Sequence, residues 1–111
     1  MITVNPGDVY IAEYSEYIKD GPDRALKSFY FIDRLQNEEI CDAVVITFWN
    51  NSLPTLYSTT GPVSDILAAP AEGSLRQGTR KDWMQALYRA WDVVENHTRW
   101  VYKLNPQEEK E

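Results

Sequence analysis

The longest stretch with one unbroken helical period is formed by residues 79–104, TRKDWMQALYRAWDVVENHTRWVYKL. Its large apolar residues recur at alternating spacings of three and four, which places them on one stripe of an α-helix. This main stripe consists of Met84, Leu87, Trp91, Val94, Thr98 and Val101. Other apolar residues, among them Trp83 and Ala90, widen the stripe on both sides. We expect so broad a face to be buried against a sheet or a second copy of the protein, with the opposite, charged face in solvent.

The best strand candidates precede this helix. Residues 43–49 (AVVITFW) are apolar on both faces, which favours a central strand, and residues 27–34 are expected to pair with them as a hairpin. Residues 54–60 are predicted to form a shorter strand that begins at a proline. In residues 9–14 the β-branched and aromatic content favours a strand, although a helix capped by Asp8 fits the same pattern.

The remaining segments are predicted to be connections and caps. We expect one or two helical turns in residues 63–69 and a loop in residues 71–78. Thr79 is expected to cap the long helix, with Asp82 completing a shortened capping box. Residues 98–104 either continue this helix or form a final strand. The predicted fold class is α+β, an antiparallel sheet of three to four strands packed by one long C-terminal helix.

Length and composition are those of one small domain. With 111 residues, 43% hydrophobic and 25% charged, the chain resembles ordinary globular domains. We expect residues 1–104 to form the domain and residues 105–111 a charged, flexible tail. Without a long apolar run or a basic-then-apolar leader, neither a membrane span nor a signal peptide is expected, which favours a cytoplasmic location. The single cysteine, Cys41, and the single histidine, His97, argue against a structural metal site, so no cofactor is expected.

The net charge of −6 is unevenly distributed along the chain. Residues 1–42 hold nine acids and four bases, whereas residues 76–104 hold three acids and six bases. An acidic first half and a basic helix can attract each other within one fold, so much of this charge is expected to be satisfied internally. The negative total disfavours a general nucleic-acid binder, because affinity for phosphates rests on cationic contacts.

Tyrosines interleaved with acids near the start of the chain form the most distinctive candidate surface. Tyrosine offers rigid, amphipathic contact area, and flanking acids can select a basic partner. The candidate partner-binding residues are Tyr10, Glu13, Tyr14, Glu16, Tyr17 and Asp20. Alternatively, the tyrosine rings pack against the long helix. We predict non-catalytic recognition of another protein by an accessory or inhibitor-type domain, either monomeric or homodimeric, whose acidic face could block a nucleic-acid-binding partner.

The basic start of the long helix gives an alternative function. Gly73–Gly78 has the glycine spacing of a phosphate loop, but Thr79-Arg80 follows where that motif requires Lys and then Ser or Thr, so a nucleotide-binding loop is rejected. Cations at the start of a helix oppose its dipole unless an anion lies there. The candidate residues for binding phosphate or a nucleic-acid backbone are Arg76, Arg80, Lys81 and Trp83.

No arrangement of residues predicts catalysis. Cys41 lacks a Cys-x-x-Cys partner and lies close to acids that would raise the pKa of its thiol, and His97 has no nucleophile motif near it. The carboxylates of Glu38, Glu39 and Asp42 fall in a predicted hairpin turn, where a solvated loop is the common outcome.

The residues Pro6-Gly7-Asp8-Val9-Tyr10 resemble the opening of the SH3-like barrel toxin endoribonucleases. The resemblance covers these five residues. That family places Arg-Pro in its next strand, where this chain has Lys27-Ser28, so we do not assign the chain to the family.

Overall fold

The structure is a computed structural model of the chain. It describes residues 3–16, 19–21, 24–49, 53–68 and 73–104, with the backbone alone for residues 16, 24 and 97–104. Of the predicted segments, the tail at residues 105–111 lies outside the described residues.

The described residues form an antiparallel sheet with a long helix on one face. In chain order the elements are β1 (Val9–Glu16), β2 (Arg24–Leu35), β3 (Ile40–Trp49), β4 (Thr55–Pro62), α1 (Val63–Ile66), β5 (Gly73–Gly78) and α2 (Arg80–Leu104). The strand order in the sheet is β4-β3-β2-β1-β5. The α+β class, with an antiparallel sheet and a long C-terminal helix, is thereby confirmed.

The first three strands follow the predicted meander. β1 pairs with β2 from Val9 opposite Phe31 to Glu16 opposite Arg24, so the strand prediction for residues 9–14 is confirmed and the helical alternative is wrong. β2 and β3 form the predicted hairpin. In its turn the Asn37 side-chain oxygen accepts hydrogen bonds from the backbone N–H groups of residues 39 and 40, which replaces ladder bonds where the chain reverses.

The predicted loop at residues 71–78 is wrong over Gly73–Gly78, which forms the fifth strand, so the predicted count of three to four strands is corrected to five. This segment pairs antiparallel with β1, from Tyr14 opposite Gly73 to Val9 opposite Gly78. Its sequence, GSLRQG, has little intrinsic preference for a strand. β1 nevertheless has an outer row of backbone donors and acceptors that need partners, and β5 supplies them.

Each face of the sheet carries its own core. On one face, α2 covers a cluster of β-strand side chains that includes Ile11, Phe29, Ile46 and Phe48. On the other, residues from the sheet pack with α1 and Val4 around a second cluster: Tyr10, Ile32, Cys41, Ala43, Val63 and Leu67. Because side chains alternate along a strand, neighbours in β1 belong to different cores.

The helix α2 runs to Leu104, so the alternative of a final strand at residues 98–104 is wrong. The predicted buried stripe is also corrected. Trp83, Ala86 and Ala90 are buried against the sheet, whereas Met84, Trp91 and Val94 from the predicted main stripe are exposed. Small alanine side chains let the helix backbone lie close to the strands, so the contacting stripe is rotated away from the largest apolar residues.

The predicted cap of α2 is confirmed. The Asp82 carboxylate accepts hydrogen bonds from the backbone N–H of Thr79 at 2.8 Å and from its hydroxyl at 3.0 Å. The Thr79 hydroxyl oxygen accepts a hydrogen bond in return from the Asp82 backbone N–H at 3.2 Å. This reciprocal pattern is a capping box with Asp in place of the usual Glu.

Candidate functional site

The predicted tyrosine-rich acidic surface is not assembled as one face. Tyr10 is only 6% exposed and lies in the core beside α1, where its hydroxyl donates a hydrogen bond to the Asp8 carboxylate at 3.3 Å. Burial, followed by the nearby Asp8 charge, raises the pKa of the Tyr10 hydroxyl. Tyr10 is therefore not part of an exposed surface, because the even positions of β1 face the core beside α1.

The other residues of that surface are dispersed. Glu13 lies on the opposite, α2-facing side of β1 from Tyr10 and Tyr14, since odd and even positions of the strand alternate. Tyr14 is partly exposed, and Asp20 lies in an exposed turn with a positive φ of 65°. The side chain of residue 16 and the whole of Tyr17 lie outside the described residues.

The predicted anion site at the start of α2 is divided in a similar way. Trp83 is 7% exposed and stacks on Phe31 with 5.4 Å between ring centroids, so its ring is packed in the core and is not presented beside Arg80 and Lys81. Arg80 and Lys81 are exposed, while Arg76 projects from β5 toward a pocket beside the helix. The capping box already gives partners to two backbone N–H groups at the start of α2, because the Asp82 carboxylate accepts that of Thr79 and the Thr79 hydroxyl accepts that of Asp82.

The helix has two dissimilar flanks on either side of its buried stripe. We call the first the apolar flank, which consists of Met84, Tyr88, Trp91 and Val94. Tyr88 is 65% and Trp91 66% exposed. On the same side of the sheet the outer strand β4 also exposes Leu56, opposite Ile46 of the core. An apolar surface of this kind on a regular helix is typical of a site for binding another polypeptide.

The second flank is charged and borders a pocket of about 230 Å³ between α2 and the sheet. We call it the charged flank; it consists of Asp82, Gln85 and Arg89, and it faces Lys27 of β2 and Arg76 of β5. Glu13 lies between these two bases, with its Oε1 atom 3.4 Å from Lys27 Nζ and 3.7 Å from Arg76 Nη2. The pocket thus gathers cations from three different elements.

The aromatic floor of this pocket holds two of the cations. The Arg89 guanidinium carbon lies 4.6 Å from the centroid of the Phe48 ring, and Lys27 Nζ lies 5.4 Å from that of Phe29. The two rings pack edge to face, with centroids 5.8 Å apart. A cation over an aromatic face is attracted by the ring quadrupole, so the floor orients both side chains.

Sequence reasoning missed Lys27 and Arg89 as members of a common site. The sequence predicts a strand for residues 27–34 and a solvated position for the charged face of the helix, which carries Arg89, so neither Lys27 nor Arg89 is expected in a site. The β1–β2 register, which puts Glu13 opposite Lys27, is the signal that links them, and the β5 register adds Arg76 through Ile11. Arg76 can be linked to the site in this way only if Gly73–Gly78 is recognised as a strand.

Other titratable groups have structural partners. The Thr60 hydroxyl, at 2.7 Å, and then Gln36 and Arg34 donate hydrogen bonds to the Asp42 carboxylate and lower its pKa. Cys41 is fully buried, and burial followed by the Asp42 charge raises the pKa of its thiol, in the direction predicted. Neither environment activates a nucleophile.

Within the described ranges, His, Cys, Asp and Glu side chains form no group of three or more that could hold a metal ion. No helix in this part of the chain combines the length and apolar character needed to cross a membrane.

Comparison of the chain with protein-family models, with curated proteins and with solved structures yields no match.

Proposed function

We propose that this protein is a non-catalytic recognition module that binds another polypeptide through the apolar flank of α2, and that the bound polypeptide is α2 of a second copy. The single observation that carries the proposal is the exposure of Tyr88 and Trp91 on a regular helix. The cytoplasmic location predicted from the sequence is part of this proposal. The recognition surface is thereby moved from the acidic start of the chain to the helix.

The spacing of the exposed residues supports a helix as the partner. Met84, Leu87, Trp91 and Val94 follow the three-and-four alternation of the two apolar positions of a heptad, which form the seam between paired helices. The sheet uses a different stripe, with Trp83, Ala86 and Ala90 at its centre. Of the seam positions, Met84, Trp91 and Val94 are exposed, whereas Leu87 is partly buried at the sheet.

The apolar flank is large enough to act as a binding patch, but it is smaller than the roughly 800 Å² that each partner buries in a standard stable interface, so we expect a concentration-dependent contact. A Tyr or Trp side chain buries roughly 150–250 Å². Tyr88 and Trp91, each about two thirds exposed, therefore present roughly 200–300 Å² between them. With Met84 and Val94 the flank falls in the range of about 300–600 Å² that the largest patch on a monomer covers, a patch that is often functional.

The borders of the flank favour an antiparallel pair. Lys81, Tyr88 and Glu95 follow one another at heptad spacing along the border that faces away from the sheet. A parallel pair would set this border against the border formed by Trp83 and Ala90, which the sheet already covers. An antiparallel pair centred on Tyr88 instead brings Lys81 of one copy beside Glu95 of the other, where opposite charges favour the pairing.

Sedimentation velocity and light scattering across a wide range of protein concentrations test the proposal, because self-association makes the apparent mass concentration-dependent. We expect a dimer in the unmodified chain and a dimerisation constant weakened by about tenfold or more in Tyr88→Glu, which places a charge on the border of the seam, midway along the antiparallel pair. Tyr57→Glu is the matched control, since Tyr57 is a further exposed tyrosine, at 51%, but lies on β4, on the sheet face opposite α2.

A charge exchange tests the antiparallel arrangement. Lys81→Glu should weaken the dimer, and the double variant Lys81→Glu with Glu95→Lys should restore it, because the exchanged pair again combines opposite charges. A chain that stays monomeric at every concentration would show that a second copy is not the partner. Equal effects of Tyr88→Glu and Tyr57→Glu would show that the contact lies elsewhere.

A further inference from the structure

We infer that the pocket beside the charged flank binds the phosphate group of a phosphate ester, with Lys27, Arg76 and Arg89 as its cationic ligands. This site lies on the other side of the helix from the proposed dimer contact and does not depend on it.

The pocket gathers more positive than negative charge. Three cations line it or border it, whereas the nearby carboxylates are Glu13 and Asp82. Asp82 is directed to the helix cap, where the backbone N–H and then the hydroxyl of Thr79 lower the pKa of its carboxyl. Its charge is thus partly compensated by the helix N-terminus, which leaves a net attraction for an added anion.

The bonds to Glu13 leave donor capacity in the cations. Their distances of 3.4 and 3.7 Å exceed the roughly 2.7–2.9 Å of a well-formed charge-assisted hydrogen bond. The side chains of Lys27, Arg76 and Glu13 are each about half exposed, so the two ion pairs between them contribute little to stability. Among the described residues no carboxylate lies within salt-bridge distance of Arg89. An oxyanion can therefore bind Arg89 without displacing an ion pair seen in the structure.

The aromatic floor prepares the site for its ligand. Phe48 and Phe29 hold Arg89 and Lys27 by their ring faces, so the cations lose less side-chain freedom when an anion binds. Two planar guanidinium groups suit the oxygens of a phosphate, which they can bind in a bidentate manner. The volume of about 230 Å³ is below that of sites for drug-sized ligands, which start at about 300 Å³, and fits one such group.

A neighbouring groove provides space for the rest of an ester. A cleft of about 530 Å³ shares Lys27, Phe48 and Arg89 with the pocket and continues over Ser15 and Ala25 at the ends of β1 and β2. A phosphate held by the three cations would leave its organic substituent in this groove. The inference therefore names an ester of phosphate rather than a free simple anion.

Titration with inorganic phosphate, followed by calorimetry or by chemical shifts in NMR spectra, tests the site directly. We expect saturable binding to the unmodified chain and a loss of about tenfold or more in affinity in the double variant Lys27→Gln with Arg89→Gln. The matched control is Lys19→Gln with Arg80→Gln, which removes the same charge from exposed positions outside the pocket. Affinity in this control should stay within about twofold, since distant exposed charges are screened.

Glu13→Gln sharpens the test, because it removes the carboxylate that competes for Lys27 and Arg76. We expect phosphate to bind this variant several times more tightly. Glycerol phosphate and a single-stranded oligonucleotide then distinguish a small ester from a nucleic-acid backbone as the source of the group. Equal losses in the two double variants, weaker binding in Glu13→Gln, or no saturable binding of any of the three probes would overturn the inference.

Discussion

The two flanks of α2 border the same buried stripe, yet their surroundings differ. On the charged flank, Arg89 lies over Phe48 and contributes to a pocket with residues of β2 and β5. On the apolar flank, Tyr88 and Trp91 are about two thirds exposed. Charged side chains thus have more protein around them than two of the largest apolar ones, the reverse of the usual distribution.

The strands beneath each flank explain this difference. The side of the sheet near the charged flank carries large rings, and β5 adds a further strand beyond β1. α2 packs on β1, β2 and β3. On the outer strand β4, the positions on the helix side of the sheet after Leu56 are Ser58 and Thr60, whose short polar side chains are exposed. Burial on α2 therefore depends on the partner strand as much as on the hydrophobicity of the helix itself.

Replacing one tryptophan of the buried stripe and one of the apolar flank by alanine should give the largest difference in the free energy of unfolding. Trp83→Ala removes a ring packed on Phe31, and we expect the free energy of unfolding to fall by about 3–5 kcal/mol. Trp91→Ala, measured at a concentration where the chain is monomeric, should change it by no more than about 0.5 kcal/mol. Urea denaturation of both variants provides the measurement. A large loss in Trp91→Ala would mean that its ring is covered within the monomer.

Gly78→Ala should disturb the charged flank where β5 meets α2. A Cβ atom at this position would lie 2.8 Å from Ile11 Cδ1 and 3.1 Å from the Asp82 carboxylate. Because Ile11 is fully buried, we expect the overpacking to lower the free energy of unfolding by about 1–3 kcal/mol. Gly61→Ala is the control, since its Cβ would meet only Ile66 Cδ1 at 3.9 Å. Chemical denaturation of the two variants should differ clearly, and similar stabilities would contradict the close contact.

Much of the fold could be predicted because local signals and long-range contacts agree. β3 is apolar on both faces as predicted for a central strand, and the cap of α2 follows the Thr79 and Asp82 pattern. β5 could not be predicted in this way. Its glycine-rich sequence has no strand signal, and its conformation depends on hydrogen bonds to β1, which no local pattern encodes.

The candidate sites were harder to predict for the same reason. Tyr10 and Glu13 are only three residues apart in sequence, but because side chains alternate along β1 they lie on opposite faces of the sheet. Lys27, Arg76 and Arg89 are far apart in sequence and meet only through the pairing of strands and the packing of α2. For the helix, the heptad pattern predicted that Met84, Trp91 and Val94 would be buried, but the sheet covers the neighbouring stripe and leaves them exposed.

Lowering the pH should remove a contribution to protein stability that comes from the charged flank, whereas the apolar flank should be unaffected. Hydrogen bonds from Thr79, assisted by the nearby Arg76 and Lys27, hold the pKa of Asp82 below its ordinary value of 3.8. A carboxyl whose pKa is lowered by folding contributes stability above that ordinary value, and this contribution is lost as the pH falls toward the lowered pKa. Thermal melting of Asp82→Asn should therefore show a lower midpoint at neutral pH and a smaller loss of stability on acidification than the unmodified chain. Asp42, whose pKa is lowered as well, keeps a residual acid dependence in both proteins. If the melting midpoints of Asp82→Asn and of the unmodified chain changed with pH in the same way, protonation of Asp82 would not be the cause of the acid sensitivity.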